Sequence, residues 1–138
     1  MSEVKTKQLV KKVHCNYIPV SNAEEAVKWY ERCLNIKRLN PNEMTMELGN
    51  GDWLFLIEAK HKTNTNFVTD KWRGDDYEMY SLTFETTDIQ AFYEHLVEQN
   101  VEVTPINDGG PCGLQLTFKD LDGNKFHVWE DTHEWEKE

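Results

Sequence analysis

Two stretches of the chain spell out the same succession of patterns, and any fold must accommodate both copies alike. Asn22 followed by Glu25 reads as a helix N-cap with an acidic first turn, and Thr87 followed by Gln90 reads as a capping box. Trp29-Tyr30-Glu31 inside the first helix matches Phe92-Tyr93-Glu94 inside the second. Asn35 and Asn100, which tolerate left-handed backbone, stand where each helix should end. The spacing predicts helices over 23–34 and 88–99. Strand composition precedes each one, over 13–20 and 77–84.

The likeness continues downstream. Met44, Met46 and Leu48 alternate with polar residues, as do Leu114, Leu116 and Phe118. Turn residues follow in both copies, Gly49-Asn50-Gly51 and Asp120 through Asn124. Each turn leads into a last strand, Trp53 to Glu58 or Lys125 to Glu130. The offset between the copies drifts from 64 at the first strand to 72 at the last, as loop insertions would produce. The expected architecture is an α+β fold of two tandem βαβββ modules related by a pseudo-twofold axis. Curved mixed sheets should surround a cleft, with the helices outside. One domain spans 1–138: a first repeat over about 11–59, a connector over 60–76, a second repeat over about 77–131 and a tail over 132–138. A connector this long inside a compact domain is either a functional lid or a disordered link.

Composition narrows the class. With 138 residues, 38% of them hydrophobic and 12% aromatic, the chain can build a single core. No run approaches the ~18 apolar residues of a membrane span. The lysines near the N-terminus are followed by no apolar stretch of the kind a signal peptide needs. Cys15, Cys33 and Cys112 are odd in number and widely spaced, which fits a reducing, cytoplasmic setting better than a disulfide framework. A net charge of -10 opposes nucleic acid and anionic membranes as partners and favours a cationic ligand, or simply keeps the surface solvated.

Strand alternation sorts the faces. Ile18, Val20, Leu54, Leu56, Leu82, Phe84, Phe126 and Val128 share the parity that should face the helices. The opposite parity carries Cys15, Tyr17, Trp53, Phe55, Met79, Ser81, His127 and Trp129, with Glu47 and Gln115 on the middle strands. Aromatic walls with a few polar groups are the usual make-up of a small-molecule site. The same aromatics could instead fill the space between curved sheets, but the polar members would then each need a partner.

Cys15 through Asn22 running into Trp29-Tyr30, Tyr77 through Asp88 running into Phe92, and Phe118 through Asn124 together resemble the vicinal oxygen chelate superfamily. Its members include glyoxalases, bleomycin-resistance proteins, fosfomycin-resistance enzymes and extradiol dioxygenases. That resemblance covers roughly residues 11 to 131. It implies a homodimer, since such folds commonly pair or exchange halves to complete their clefts. It also implies four metal-ligand positions, which alignment places at Cys15, Phe55, Met79 and His127. Phenylalanine cannot ligate and methionine suits a hard divalent ion poorly. The expectation is therefore a metal-free cleft of Cys15, Tyr17, Glu47, Trp53, Phe55, Met79, Gln115, His127 and Trp129 that binds a small aromatic or cationic molecule. One alternative is a metal-dependent lyase, isomerase or thiol transferase with a divalent ion held by Cys15 and His127. Another is a dimeric interaction or regulatory module. A thiolate–imidazole pair of Cys15 with His127 is a further possibility. His14 reaches the cleft only through a strand bulge, and His61, His95 and His133 read as surface residues.

Overall fold

The computed structural model describes residues 8–61 and 63–130, so the tail and His133 lie outside the described residues. The first half runs β1 (Cys15–Val20), α1 (Ala23–Leu34), β2 (Lys37–Arg38), β3 (Thr45–Glu47) and β4 (Trp53–Glu58). A hairpin follows, β5 (Phe67–Thr69) and β6 (Tyr77–Met79). The second half runs β7 (Thr83–Glu85), α2 (Ile89–Glu98), β8 (Asn107–Asp108), β9 (Leu114–Lys119) and β10 (Lys125–Glu130). Each half makes a four-stranded sheet, ordered β1-β4-β3-β2 in one and β7-β10-β9-β8 in the other. In both sheets the first strand lies parallel to the last and the remaining pairs are antiparallel. The fold is the expected α+β pair of βαβββ modules.

Local chemistry sets the helix ends. The Asn22 side chain accepts from the Glu25 N–H at 3.0 Å, and Asn35 ends α1 in the left-handed region at φ 55°. Asn100 repeats that ending after α2 at φ 61°. At the start of α2 the cap is Asp88, not Thr87: its carboxylate accepts from the Ala91 N–H at 3.0 Å. A carboxylate also suits the positive end of the helix dipole, so of two adjacent capping residues the charged one prevails.

The helix-facing parity is where the core lies. Ile18, Val20, Leu54, Leu56, Phe126 and Val128 are buried, while Leu82 and Phe84 are half-buried. Fully burying each such side chain contributes about 1.5–3 kcal/mol. Phe84, Phe118 and Phe126 pack ring to ring, and Phe92 of α2 meets Phe118 edge-on at 5.9 Å.

One expectation about the strands needs correction. The stretch 77–84 is not one strand. Tyr77–Met79 pairs with Phe67–Thr69, the chain bends at Tyr80–Ser81, and only Thr83–Glu85 joins the second sheet. Alternation alone cannot say which neighbour a strand pairs with. The connector supplies β5, which pairs with β6 at the start of the second repeat, and this hairpin docks on the second module. The Asn66 side chain donates to the Met79 and Lys125 carbonyls and accepts from the Lys125 N–H, replacing ladder bonds at the sheet margin.

The modules are fastened at one end by the turn before β10. Buried Tyr30 of α1 donates its hydroxyl to Asp120 at 2.5 Å. Asn124 donates to the Pro19 carbonyl at 3.0 Å and to Asp120 at 2.8 Å. Ser21 donates its N–H and hydroxyl to Asp122.

Candidate functional site

The parallel register of β1 and β4 places Cys15 beside Trp53 and Tyr17 beside Phe55, and β3 adds Glu47 next to Trp53. Their side chains emerge on the face away from the helices. Tyr17 stacks on Phe55 with centroids 5.2 Å apart and planes 10° from parallel. Trp53 meets Phe55 edge-on at 6.0 Å, and His14 leans on Trp53 from the other side at 4.7 Å. Tyr17 is 65% exposed, so this stack forms an open platform rather than a filled core. The adjacent Cys15 thiol raises the Tyr17 hydroxyl above its ordinary pKa, by hydrogen bonding first and by charge second. Glu47 stands exposed at the platform's edge.

On the second module, β10 sets His127 between Thr83 of β7 and Thr117 of β9. Its ring is tied on three sides. Nδ1 meets the Thr83 hydroxyl at 3.0 Å, Nε2 meets Gln115 Oε1 at 2.9 Å, and Tyr80 stacks on it at 4.6 Å and 13°. Because Gln115 Oε1 can only accept, Nε2 carries the proton and Nδ1 accepts from Thr83. Burial lowers the imidazole's pKa, and the Arg73 charge lowers it further. Trp129 is likewise held, its indole N–H donating to the Cys112 carbonyl at 2.6 Å. Beside His127 lies a recess of about 250 Å³, lined by Arg73, Tyr77, Tyr80, Asn107, Gln115 and Thr117 among others.

The register also revises one equivalence between the repeats. Phe55 and His127 correspond, and their parallel partners are Tyr17 and Thr83. The His127 N–H donates to the Leu82 carbonyl, whereas the Lys125 N–H, the counterpart of the Trp53 N–H that donates to His14, is taken by Asn66, so the equivalence upstream is counted from Tyr17 and Thr83. Two residues back, Cys15 therefore corresponds to Ser81. Met79 belongs to the hairpin, so the repeat pairs Cys15 with Ser81 rather than with Met79. The four related positions hold Cys15, Phe55, Ser81 and His127, a poor donor set for a divalent ion. Among the described residues no three of His, Cys, Asp and Glu gather closely enough to hold a metal. His127 would have to give up Thr83 or Gln115 to ligate or to pair with Cys15, and it makes no such pair here.

Of the residues expected to share a cleft, Cys15, Tyr17, Glu47, Trp53 and Phe55 gather on the first module. Gln115, His127 and Trp129 gather on the second. No hydrogen bond or ring contact among the described residues joins the two groups. Sequence reasoning placed Thr83, which holds His127, on the cleft face but missed Arg73 and Tyr80, which line the recess and arrive with the hairpin. A larger groove of about 590 Å³ lies at the unfastened end of the module seam, where Asn16, Leu54 and Asp52 face Phe84, Thr86 and Phe92. None of the expected site residues lines it. Among the described residues no helix is long and apolar enough to cross a membrane.

Comparison with known proteins agrees with this architecture. Residues 11–128 match the family model of the Glyoxalase/Bleomycin resistance protein/Dioxygenase superfamily. TnmS3, an antibiotic binding protein from Streptomyces sp. CB03234, superposes with a TM-score of 0.69 at 20% identity, over 91% of this chain and 100% of its own. A putative glyoxalase family protein from Bacillus anthracis gives 0.68 at 15% identity, over 91% and 99%. The genomically encoded fosfomycin resistance protein of Listeria monocytogenes gives 0.67 at 15% identity, over 91% and 98%. No curated protein matches the sequence significantly. The chain belongs to the Glyoxalase/Bleomycin resistance protein/Dioxygenase superfamily.

Proposed function

We propose that this member of the superfamily binds a small, flat molecule on the Tyr17–Phe55–Trp53 platform without the help of a metal ion. The observation that carries the reading is the platform itself: Tyr17 and Trp53 each in ring contact with Phe55, with Tyr17 mostly in solvent. A ring laid on such a surface gains about 0.5–1.5 kcal/mol per aromatic pair beyond area burial, and a cation over an indole gains about 0.5–2 kcal/mol. Glu47 beside Trp53 supports a positive charge at that edge. Likeness in fold to an antibiotic binding protein and to a fosfomycin resistance protein is consistent with capture of a small molecule.

The platform and the His127 recess sit on different modules, so a second copy that sets one chain's platform against its partner's recess would complete a cleft. Light scattering should then give twice the chain mass at micromolar concentration. A clean monomer would remove this part of the proposal. The ligand test is a titration of intrinsic tryptophan fluorescence with ethidium, a flat aromatic cation, after dialysis against a chelator. Saturable quenching should survive the chelator and weaken at least tenfold in Phe55→Ala or Tyr17→Ala. Quenching indifferent to both substitutions would refute the platform as the site. Elemental analysis showing near one zinc, nickel, manganese or iron per chain would favour the metal-dependent lyase or transferase reading instead.

A further inference from the structure

The two modules present opposite chemistry. The platform carries a carboxylate, Glu47, whereas the recess beside His127 has no Asp or Glu in its lining and has Arg73 at its wall. Arg73 has no ion pair or protein hydrogen bond among the described residues; its guanidinium carbon lies 6.0 Å from the centroid of the Trp72 ring. The two lysines on the neighbouring strands, Lys119 and Lys125, are already engaged. Lys119 pairs with Glu78 and Glu102, and Lys125 donates to the Glu78 carbonyl while lying 4.1 Å over the Tyr77 ring. In a chain of net charge -10, the Arg73 guanidinium keeps its five donors free of any carboxylate among the described residues.

The neutral groups of the recess point the same way. His127 takes the Gln115 oxygen, so only the Gln115 NH₂ group, with two donors, remains to offer a ligand. Tyr77 and Tyr80 complete the wall. No side chain of the lining is an acceptor only, and the space of about 250 Å³ is enough for a small head group. We infer that this recess receives the acidic group of the ligand, a carboxylate, on the Arg73 guanidinium and the Gln115 amide. The planar fork of arginine suits a carboxylate's two oxygens. His127 is then a positioning residue that orients Gln115. This rests on reading the chain as a small-molecule binder.

The test compares benzoate, benzyl alcohol and benzylammonium, three probes of one body size that differ in head charge, followed by chemical-shift changes of the Gln115 side-chain amide. Benzoate should bind at least tenfold more tightly than the other two, and the preference should fall as salt rises. Arg73→Gln should remove that preference and Arg73→Lys should keep part of it, while benzyl alcohol binds all three proteins alike. Arg73 is exposed, so both variants should fold, as a thermal melt will report. Equal binding of the three probes, unaffected by Arg73→Gln, would overturn the acid-binding inference and leave the recess a generic pocket. If no probe perturbs Gln115 at millimolar concentration, the recess is not a ligand site. The platform reading would still stand or fall on the Phe55→Ala titration.

Discussion

Tyr30→Phe removes one oxygen atom and almost nothing else, which makes it a clean measure of how firmly the two modules are joined. Tyr30 is fully buried in α1, and its hydroxyl reaches across the repeat boundary to Asp120 at 2.5 Å. Hydrogen bonds to charged groups contribute about 1.5–3 kcal/mol. Asp120 keeps the Asn124 and Asp122 N–H groups and the Asn124 side-chain amide as donors, so its carboxylate is weakened rather than orphaned. The expected loss is therefore about 2 kcal/mol, against a total stability of about 5–15 kcal/mol for a domain of this kind. In urea, with a slope of about 1–3 kcal/mol per molar, the midpoint should fall by roughly 1 M while the slope itself stays constant. The pH dependence has a definite sign. Burial raises the Asp120 carboxyl above its usual value, and the Tyr30 hydroxyl opposes that shift. A raised acid favours the native state at low pH and loses that contribution as pH rises through its folded value. Removing Tyr30 raises it further, so the variant should suffer more at pH 7 than at pH 4. A loss below about 0.5 kcal/mol, or an equal loss at both pH values, would refute the charged hydrogen bond as the fastening.

Gly113→Ala should destabilise by about 2 kcal/mol or more, since φ is +85° and a Cβ would lie 2.5 Å from the Glu130 carbonyl oxygen; thermal unfolding tests this, and a neutral substitution would contradict the packing of this turn on β10. His127 is held below its ordinary pKa, so its contribution to stability is present above about pH 6.5 and is lost as pH falls through the folded value. His127→Gln should flatten the stability profile between pH 7 and 5 relative to the parent, as read by urea midpoints. An unchanged slope would mean the imidazole is not shielded as the structure has it.

The repeat, the helix limits and the division of strand faces were all legible in the chain. Asn22, Asn35 and Asn100 cap or end helices through their own backbone and side-chain chemistry, and alternation in 53–58 and 125–130 follows from the two-residue period of a strand. These are local signals, readable within a few residues. The platform was legible for the same reason: Tyr17, Trp53 and Phe55 share one parity on strands whose neighbours the repeat implied.

What tertiary structure decided depends on pairings between distant segments. Met79 has the composition of a strand residue in either sheet, and only the partner Phe67 makes it part of a hairpin, two residues out of register with the position it was expected to fill. That same hairpin delivers Tyr80 and Arg73 to His127, which no period in the sequence announces. His127 itself was visible as a cleft residue, but whether its nitrogens were free to ligate rested on Thr83, 44 positions away, and on Gln115 across the next strand. Sequence alone determined the modules because period and capping act over single turns and strands. The use of the site was left to the packing between them, where register and long-range hydrogen bonds fix which donors remain unspent.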